Sequence, residues 1–248
     1  MRNKESIQEM LYDFPYHYLP KRKGGGYSQC QSLSWGFEYL MYVECLAAKI
    51  VSMNVDSVCD FGCGDGRLLN ELASKGEAPN VMVGVDKSDR AIGFAKLFQT
   101  ADTVQFSTKL DGNYEFDLIT CIEVLEHIYP PQIHEFIVEM KSALKKGGSI
   151  LLTVPSKTQR LNAKHYQHFD MADLEKIFAD HDDLQITEKQ FLVKRNKLRN
   201  LIFRIIDNKF FILRHAVFLE KVYQWYKRRF LYSSPKLSAK IFIAIKKI

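Results

Sequence analysis

Apolar positions recur at helical spacing from Ser34 to about Ile50, where Trp35, Tyr39, Tyr42, Val43, Leu46 and Ile50 predict one amphipathic helix. Beyond it, short apolar runs alternate with helical stretches. Strands are predicted at Ser57–Asp60, Val81–Asp86, Thr103–Leu110, Phe116–Ile122 and Ser149–Val154. Helices are predicted from Arg67 to Ser74, from a Ser88 cap to about Phe98, and from Gln132 to Leu144. A further helix at Met171–Ala179 and strands at Leu184–Val193 and Lys240–Ile248 complete the pattern. Strands that alternate with helices imply a parallel sheet with right-handed crossovers. Near-continuous apolar strands such as Ile150-Leu151-Leu152 imply helices on both faces of that sheet.

Composition bounds the reading without changing it. The 248 residues, 46% hydrophobic and 26% charged, suit one buried α/β core with chain to spare. No apolar run reaches the roughly 18 residues of a spanning helix, and residues 1–12 lack the apolar stretch of a signal peptide. A cytoplasmic protein is therefore expected. The five cysteines (30, 45, 59, 63 and 121) form no CxxC pair, so neither a disulfide framework nor a zinc knuckle is expected. Residues 1–33 are read as irregular, with Pro15, Pro20 and a loop at Lys21–Gly26 that ends in three glycines.

Charge does change the picture. Residues 1–193 carry a net −7 and residues 194–248 a net +13. Residues 196–232 interleave Lys and Arg with Leu201, Ile202, Phe203, Ile205, Ile206, Phe210, Phe211, Trp225 and Tyr226. Three readings fit such a segment. It is a helical lid with its basic face in solvent, an anionic membrane surface contact that admits a lipid-linked acceptor, or, ranked third, an RNA-binding surface.

The candidate chemistry begins at Asp60-Phe61-Gly62-Cys63-Gly64-Asp65-Gly66, between the first strand and its helix. Glycines at 62, 64 and 66 permit a tight turn and bring no Cβ near a ligand. Asp86 closes the next strand 20 positions after Gly66, where a carboxylate can accept hydrogen bonds from ribose hydroxyls. The spacing is GxGxG and not the GxGxxG that presents a helix N-terminus to a pyrophosphate. With Asp60 and Asp65 alongside, the turn suits a phosphate-free nucleoside that bears positive charge.

The stretches VCDFGCGDGRLL, VGVD, FDLITCIEVLEHI and LKKGGSILLTVP, in that order over roughly residues 55–180, resemble the class I S-adenosylmethionine-dependent methyltransferases. The likeness runs toward the O-methyltransferases that act on quinones and other small molecules. It implies a Rossmann-like, mostly parallel sheet of seven strands whose last strand is antiparallel and sits beside the fifth. It implies S-adenosylmethionine as cofactor, with Gly62 and Gly64 against the methionine part, Asp86 on the ribose and Lys87 near the adenine. Cys121 and Ile122 would border the methyl group, and Asp60, Cys63, Gly66 and Glu123 complete the predicted cofactor set. The third strand offers Ser107 and then Asp111 for the adenine side.

The acceptor is expected to be a small or lipid-linked metabolite methylated on oxygen or nitrogen. Methyl transfer needs mostly positioning, and near-attack placement supplies about 7–11 kcal/mol at best. An oxygen acceptor also needs a base, for which His127, His165 and His168 are candidates. Each has a plainer reading, His127 as a packed ring under the cofactor and His168 as an anchor for the next helix. A sharper reading puts Glu123, Glu126 and His127 on one helical face by their i, i+3, i+4 spacing, with His165 or His168 as a fourth ligand for Mg²⁺ or Mn²⁺. That pattern looks like the metal site of small-RNA ribose 2′-O-methyltransferases, the alternative function. The main reading does not call for the metal. A non-catalytic binding module is the second alternative. The methyltransferase domain is expected over residues 34–195 and 237–248, with the basic helical insertion at 196–236.

Overall fold

The structure, a computed structural model, describes residues 4, 22–23, 26–27, 33–110, 115–206 and 215–248. Pro15, Pro20, Cys30, Asp111, Phe210 and Phe211 lie outside the described residues. Within the segment read as a loop, Arg22–Lys23 pairs antiparallel with Gly26–Tyr27, so part of it is a two-residue hairpin.

A helix, α1 (Leu33–Ser52), precedes the sheet. Seven strands follow, namely β1 (Ser57–Phe61), β2 (Val81–Val85), β3 (Val104–Ser107), β4 (Phe116–Ile122), β5 (Leu144–Pro155), β6 (Leu184–Lys194) and β7 (Ser238–Lys247). Their order across the sheet is β3-β2-β1-β4-β5-β7-β6. The first five are mutually parallel, and β7 runs antiparallel to both β5 and β6. The last strand thus lies beside the fifth, as the resemblance implied. All five residues of β1 are buried, which fits a central strand covered on both faces.

The interleaved helices are α2 (Arg67–Ala73), α3 (Asp89–Leu97), α4 (Ile133–Ser142) and α5 (Met171–Ala179). Ser88 caps α3 as predicted, its side chain accepting from Ala91 N at 3.2 Å. Asp170 and Asp173 form a reciprocal capping box on α5. Helix α4 is shorter than its periodicity suggested, because Pro130–Gln132 forms a separate 3-10 turn before it and Leu144 already belongs to β5. Strand β5 begins earlier than expected. Phe116 already pairs with Leu144, and the register then jumps to Leu118–Ser149 across Gly147, whose φ is +75°.

Among the described residues, the basic segment forms two helices between β6 and β7, α6 (Lys197–Ile206) and α7 (Ala216–Phe230). They pack against α1 in one core cluster. Phe37 of α1 meets Phe203, Tyr223 and Tyr226 edge-on at 5.2–6.2 Å between ring centroids. The expectation that the basic side chains all face solvent fails at Arg199, which is buried. Its guanidinium donates to Glu38 at 2.5 Å and to the Tyr226 hydroxyl at 2.9 Å. Arg195 also reaches Glu38, at 3.1 Å, and Lys227 pairs with Glu44 of α1 at 2.6 Å. No helix among the described residues is long and apolar enough to cross a membrane.

Candidate active site

The bend after β1 owes its shape to three left-handed glycines, Gly62 at φ +79°, Gly64 at +55° and Gly66 at +78°. Two of them are also required by packing. A Cβ on Gly62 would come within 2.3 Å of Val124 Cγ2, and one on Gly66 within 2.5 Å of Phe106 Cζ. Gly66 thus serves close packing between α2 and the sheet, and Gly62 and Gly64 remain for the ligand side. The bend is tied to β2 by Gly62 N and Cys63 N, which both donate to Val85 O at 2.7 and 3.0 Å. Asp86 completes the tie. One carboxylate oxygen accepts from Gly64 N at 3.0 Å and the other from Ser88 N at 2.9 Å. The carboxylate predicted for the ribose is therefore oriented by the bend itself.

The bend faces a cleft of about 260 Å³ lined by Asp60, Gly62, Cys63, Gly64, Ile122 and Glu123 from the predicted set. Its opposite wall was not foreseen. It is the α1 face carrying Trp35, Glu38, Tyr39, Tyr42, Val43 and Leu46, with Lys240 of β7 at the far side. The spacing of the stripe predicts an amphipathic helix but not a cleft against it. Its polar atoms, the Tyr42 hydroxyl and the Glu38 carboxylate, were the missed signal. Asp86 and Lys87 are not lining residues, and Cys121 is fully buried in the core on one side of the sheet. Cys121 therefore contributes packing at the strand end, while its neighbour Ile122 reaches the cleft.

Electrostatics set the roles of the acidic groups. Asp60 is buried and accepts from Thr120 Oγ1 at 2.6 Å. Burial pushes its pKa up to about 7 against the lowering effect of that hydrogen bond, and the nearby Asp86 adds to the rise. Glu123 takes the left-handed conformation, φ +58°, and forms an ion pair with Lys240. The Lys240 ammonium sits 4.8 Å from the Tyr42 ring centroid, and the Tyr42 hydroxyl hydrogen-bonds Thr153. Burial, reinforced by Glu123, raises the Tyr42 phenol well above its usual range.

The expected helical face of Glu123, Glu126 and His127 does not form. The left-handed Glu123 breaks the spacing, and only Leu125–His127 make a 3-10 turn. Glu123 lines the cleft, whereas Glu126 is buried behind it. There Glu126, His127 and His165 each place one potential ligand atom within 4.8 Å of the other two. The 157–168 loop makes this meeting happen. It is closed at its base by the Ser156–Phe169 bridge and docked by Tyr166 N on the Glu126 carbonyl at 2.8 Å. The rings of His127 and His165 meet edge-on at 4.8 Å, and His165 Nδ1 lies 2.8 Å from His168 Nε2. All three predicted histidines thus join one cluster.

Burial lifts the Glu126 carboxyl well above the usual carboxylate range, with Glu123 adding to it. Burial lowers His127 to about 4 and His165 to about 3, so both rings are neutral near pH 7. Glu126 Oε2 is buried without a hydrogen-bond partner. An orphaned carboxylate oxygen beside two neutral imidazoles is a donor set that fits a divalent cation.

Residues 18–201 match the model of a family described as a methyltransferase domain. The chain belongs to that family, and its last strand, antiparallel beside the fifth, lies where the resemblance to the class I S-adenosylmethionine-dependent methyltransferases implied. The ubiquinone biosynthesis O-methyltransferase of Dechloromonas aromatica (strain RCB) is 32% identical over 128 residues, covering 48% of this chain and 50% of that protein. The small RNA 2′-O-methyltransferase of Arabidopsis thaliana is 32% identical over 108 residues, covering 38% of this chain and 12% of that protein. The chain spans about half the length, or less, of these curated relatives. Among solved structures, magnesium protoporphyrin IX methyltransferase from Synechocystis PCC 6803 with bound SAM shares the fold with a TM-score of 0.59. It has 16% identity, over 100% of this chain and 99% of that one.

Proposed function

We propose that this chain transfers a methyl group from S-adenosylmethionine to an oxygen or nitrogen of a small-molecule acceptor. The observation that carries the reading is the coupling of bend and carboxylate. Gly62 and Gly64 line the cleft, and Asp86 is hooked to the same bend through Gly64 N. S-adenosylmethionine supplies an activated methyl on a cationic sulfonium. Asp86, held by two backbone N–H groups, presents its carboxylate at the bend, where ribose hydroxyls can donate to it. Lys87 lies on the adenine side. Asp60, with its pKa near 7, gains a counter-charge when a cationic amino group binds beside the bend. Gly66 and Cys121 hold the bend and strand end in place, and Ile122 and Glu123 border the reacting methyl.

The acceptor enters along the α1 wall, whose Trp35, Tyr39 and Tyr42 suit a flat or aromatic metabolite. The ubiquinone-type relatives support an oxygen acceptor. The new O–CH3 bond forms as the S–CH3 bond breaks, and the hydroxyl proton passes to a neutral ring, His127 or His165. A lipid-linked acceptor fits the apolar residues Leu198 and Leu201 of α6 and Val217 and Phe218 of α7, all exposed beside Lys197 and Lys221. Sedimentation with anionic and neutral liposomes tests that extension, and equal absence of binding to both removes it. Supplying labelled cofactor to a cell extract tests the main reading. Label in the small-molecule or lipid fraction supports it, and label in neither, with cofactor bound, contradicts it.

A second reading is favoured by the partnerless Oε2 of Glu126. A divalent cation held by Glu126, His127 and His165 would act as a Lewis acid on an acceptor hydroxyl, which in the Arabidopsis relative's class is an RNA ribose. Activity that survives exhaustive chelation removes this reading. Label recovered in RNA favours it.

A further inference from the structure

We propose that His168 is a positioning residue, which fixes the ring proton of His165 on Nδ1 and leaves Nε2 of His165 as the acceptor atom. The proposal deepens the transferase reading, because it says how one of the two candidate bases is held ready.

The argument follows the hydrogen bonds inward from the loop backbone. His168 Nδ1 lies 3.2 Å from the carbonyl oxygen of Gln159. A carbonyl can only accept, so that nitrogen carries the proton. An imidazole whose single proton sits on Nδ1 offers its other nitrogen, Nε2, as an acceptor. It lies 2.8 Å from His165 Nδ1, a contact buried from solvent. His165 Nδ1 must therefore donate, which puts its only proton on the side of His168 and leaves Nε2 unprotonated.

A parallel contact treats the second ring in the same way. His127 Nδ1 lies 3.2 Å from the Lys164 carbonyl, so it too is the donor, and His127 Nε2 becomes the acceptor, 4.0 Å from Glu126 Oε1. Two carbonyls of one loop, Gln159 and Lys164, thus orient two imidazole lone pairs. For His127 the carbonyl acts directly. For His165 it acts through His168, because the backbone of His165 is turned to Asn162 and its own ring meets another ring instead of a carbonyl. The free ring of histidine favours the opposite tautomer, so without His168 no hydrogen bond among the described residues holds the proton on Nδ1.

Imidazole tautomers are read directly from long-range proton–nitrogen correlations of the full chain with nitrogen-labelled histidine. His165 of the native chain is expected to show a protonated Nδ1 and a bare Nε2. Phe at 168 removes the acceptor. His168→Phe is expected to lose the Nδ1–H signature and shift His165 toward the Nε2–H form. Glutamine restores the pattern, since its amide oxygen accepts from His165 and its NH2 donates to the Gln159 carbonyl, so His168→Gln is expected to keep the native signature. The proposal is overturned if native His165 carries its proton on Nε2, a result that needs no variant and so no control for folding. It is equally overturned if His168→Phe melts like the native chain and leaves the His165 pattern intact. The measurement uses neither cofactor nor acceptor. A wrong tautomer therefore sinks this proposal and leaves the transferase reading standing, whereas failure to bind cofactor does the reverse.

Discussion

Arg199 of α6 and Glu38 of α1 form an ion pair, with Nη2 2.5 Å from Oε2 and side chains only 6% and 12% exposed. Glu38 also lines the cleft, so the basic C-terminal segment is wired to the wall of the site and not merely laid over it. Removing one partner of a buried pair strands the other charge, which costs about 3 kcal/mol or more. Arg199→Ala is therefore expected to lower the unfolding free energy by roughly that amount, reduced in part by Arg195, which also contacts Glu38. Urea unfolding checks this. An unchanged midpoint would show that Arg195 alone satisfies Glu38.

Gly62→Ala is expected to destabilise the protein by about 1–3 kcal/mol. It places a side chain at φ +79° and sets Cβ 2.3 Å from Val124. Cofactor affinity should fall with it, because the bend cannot hold its shape. Gly76→Ala is the control. A Cβ there meets nothing within 4 Å, so stability should change by less than about 1 kcal/mol.

The two glycine substitutions also mark how far the sequence could be read. The strand–helix alternation and the acidic end of β2 were legible because local patterning determines them. The place of β7 beside β5 followed from the resemblance, and the pairing of Leu152 with Ile243 bears it out. Gly66 was legible as a turn, but its packing on Phe106, 40 positions on, is a tertiary fact that no spacing reveals. The i, i+3, i+4 reading of Glu123, Glu126 and His127 failed for a local reason. One left-handed residue at the strand end sends Glu123 to Lys240 and Glu126 to the histidines. The α1 stripe was legible as the apolar face of a helix but not as a cleft wall, since periodicity shows which face is buried and not whether a cleft lies against it.

The acid side of the stability profile carries a signature of the site. His127 and His165, lowered from 6.5 to about 4 and about 3, bind protons less readily folded than unfolded. Between pH 6.5 and those values they make stability fall as pH falls, each by at most about 1.4 kcal/mol per pH unit. Asp60, raised from 3.8 to about 7, has the opposite sign, because the folded chain binds its proton first and stability rises as pH falls through that window. Glu126, also raised, acts with Asp60. Asp60→Asn removes one compensating group. It is expected to steepen the loss of stability between pH 7 and pH 4 in unfolding titrations, whereas an unchanged slope would mean that Asp60 is ionised throughout.

Calorimetric titration of S-adenosylhomocysteine into the full chain bears most directly on the cleft and its carboxylate. Saturable one-to-one binding is predicted. Asp86→Ala should weaken it by about 10- to 150-fold, the equivalent of roughly 1.5–3 kcal/mol for charge-assisted hydrogen bonds. No heat of binding to the native chain, or equal affinity in a folded Asp86→Ala variant, would contradict the account.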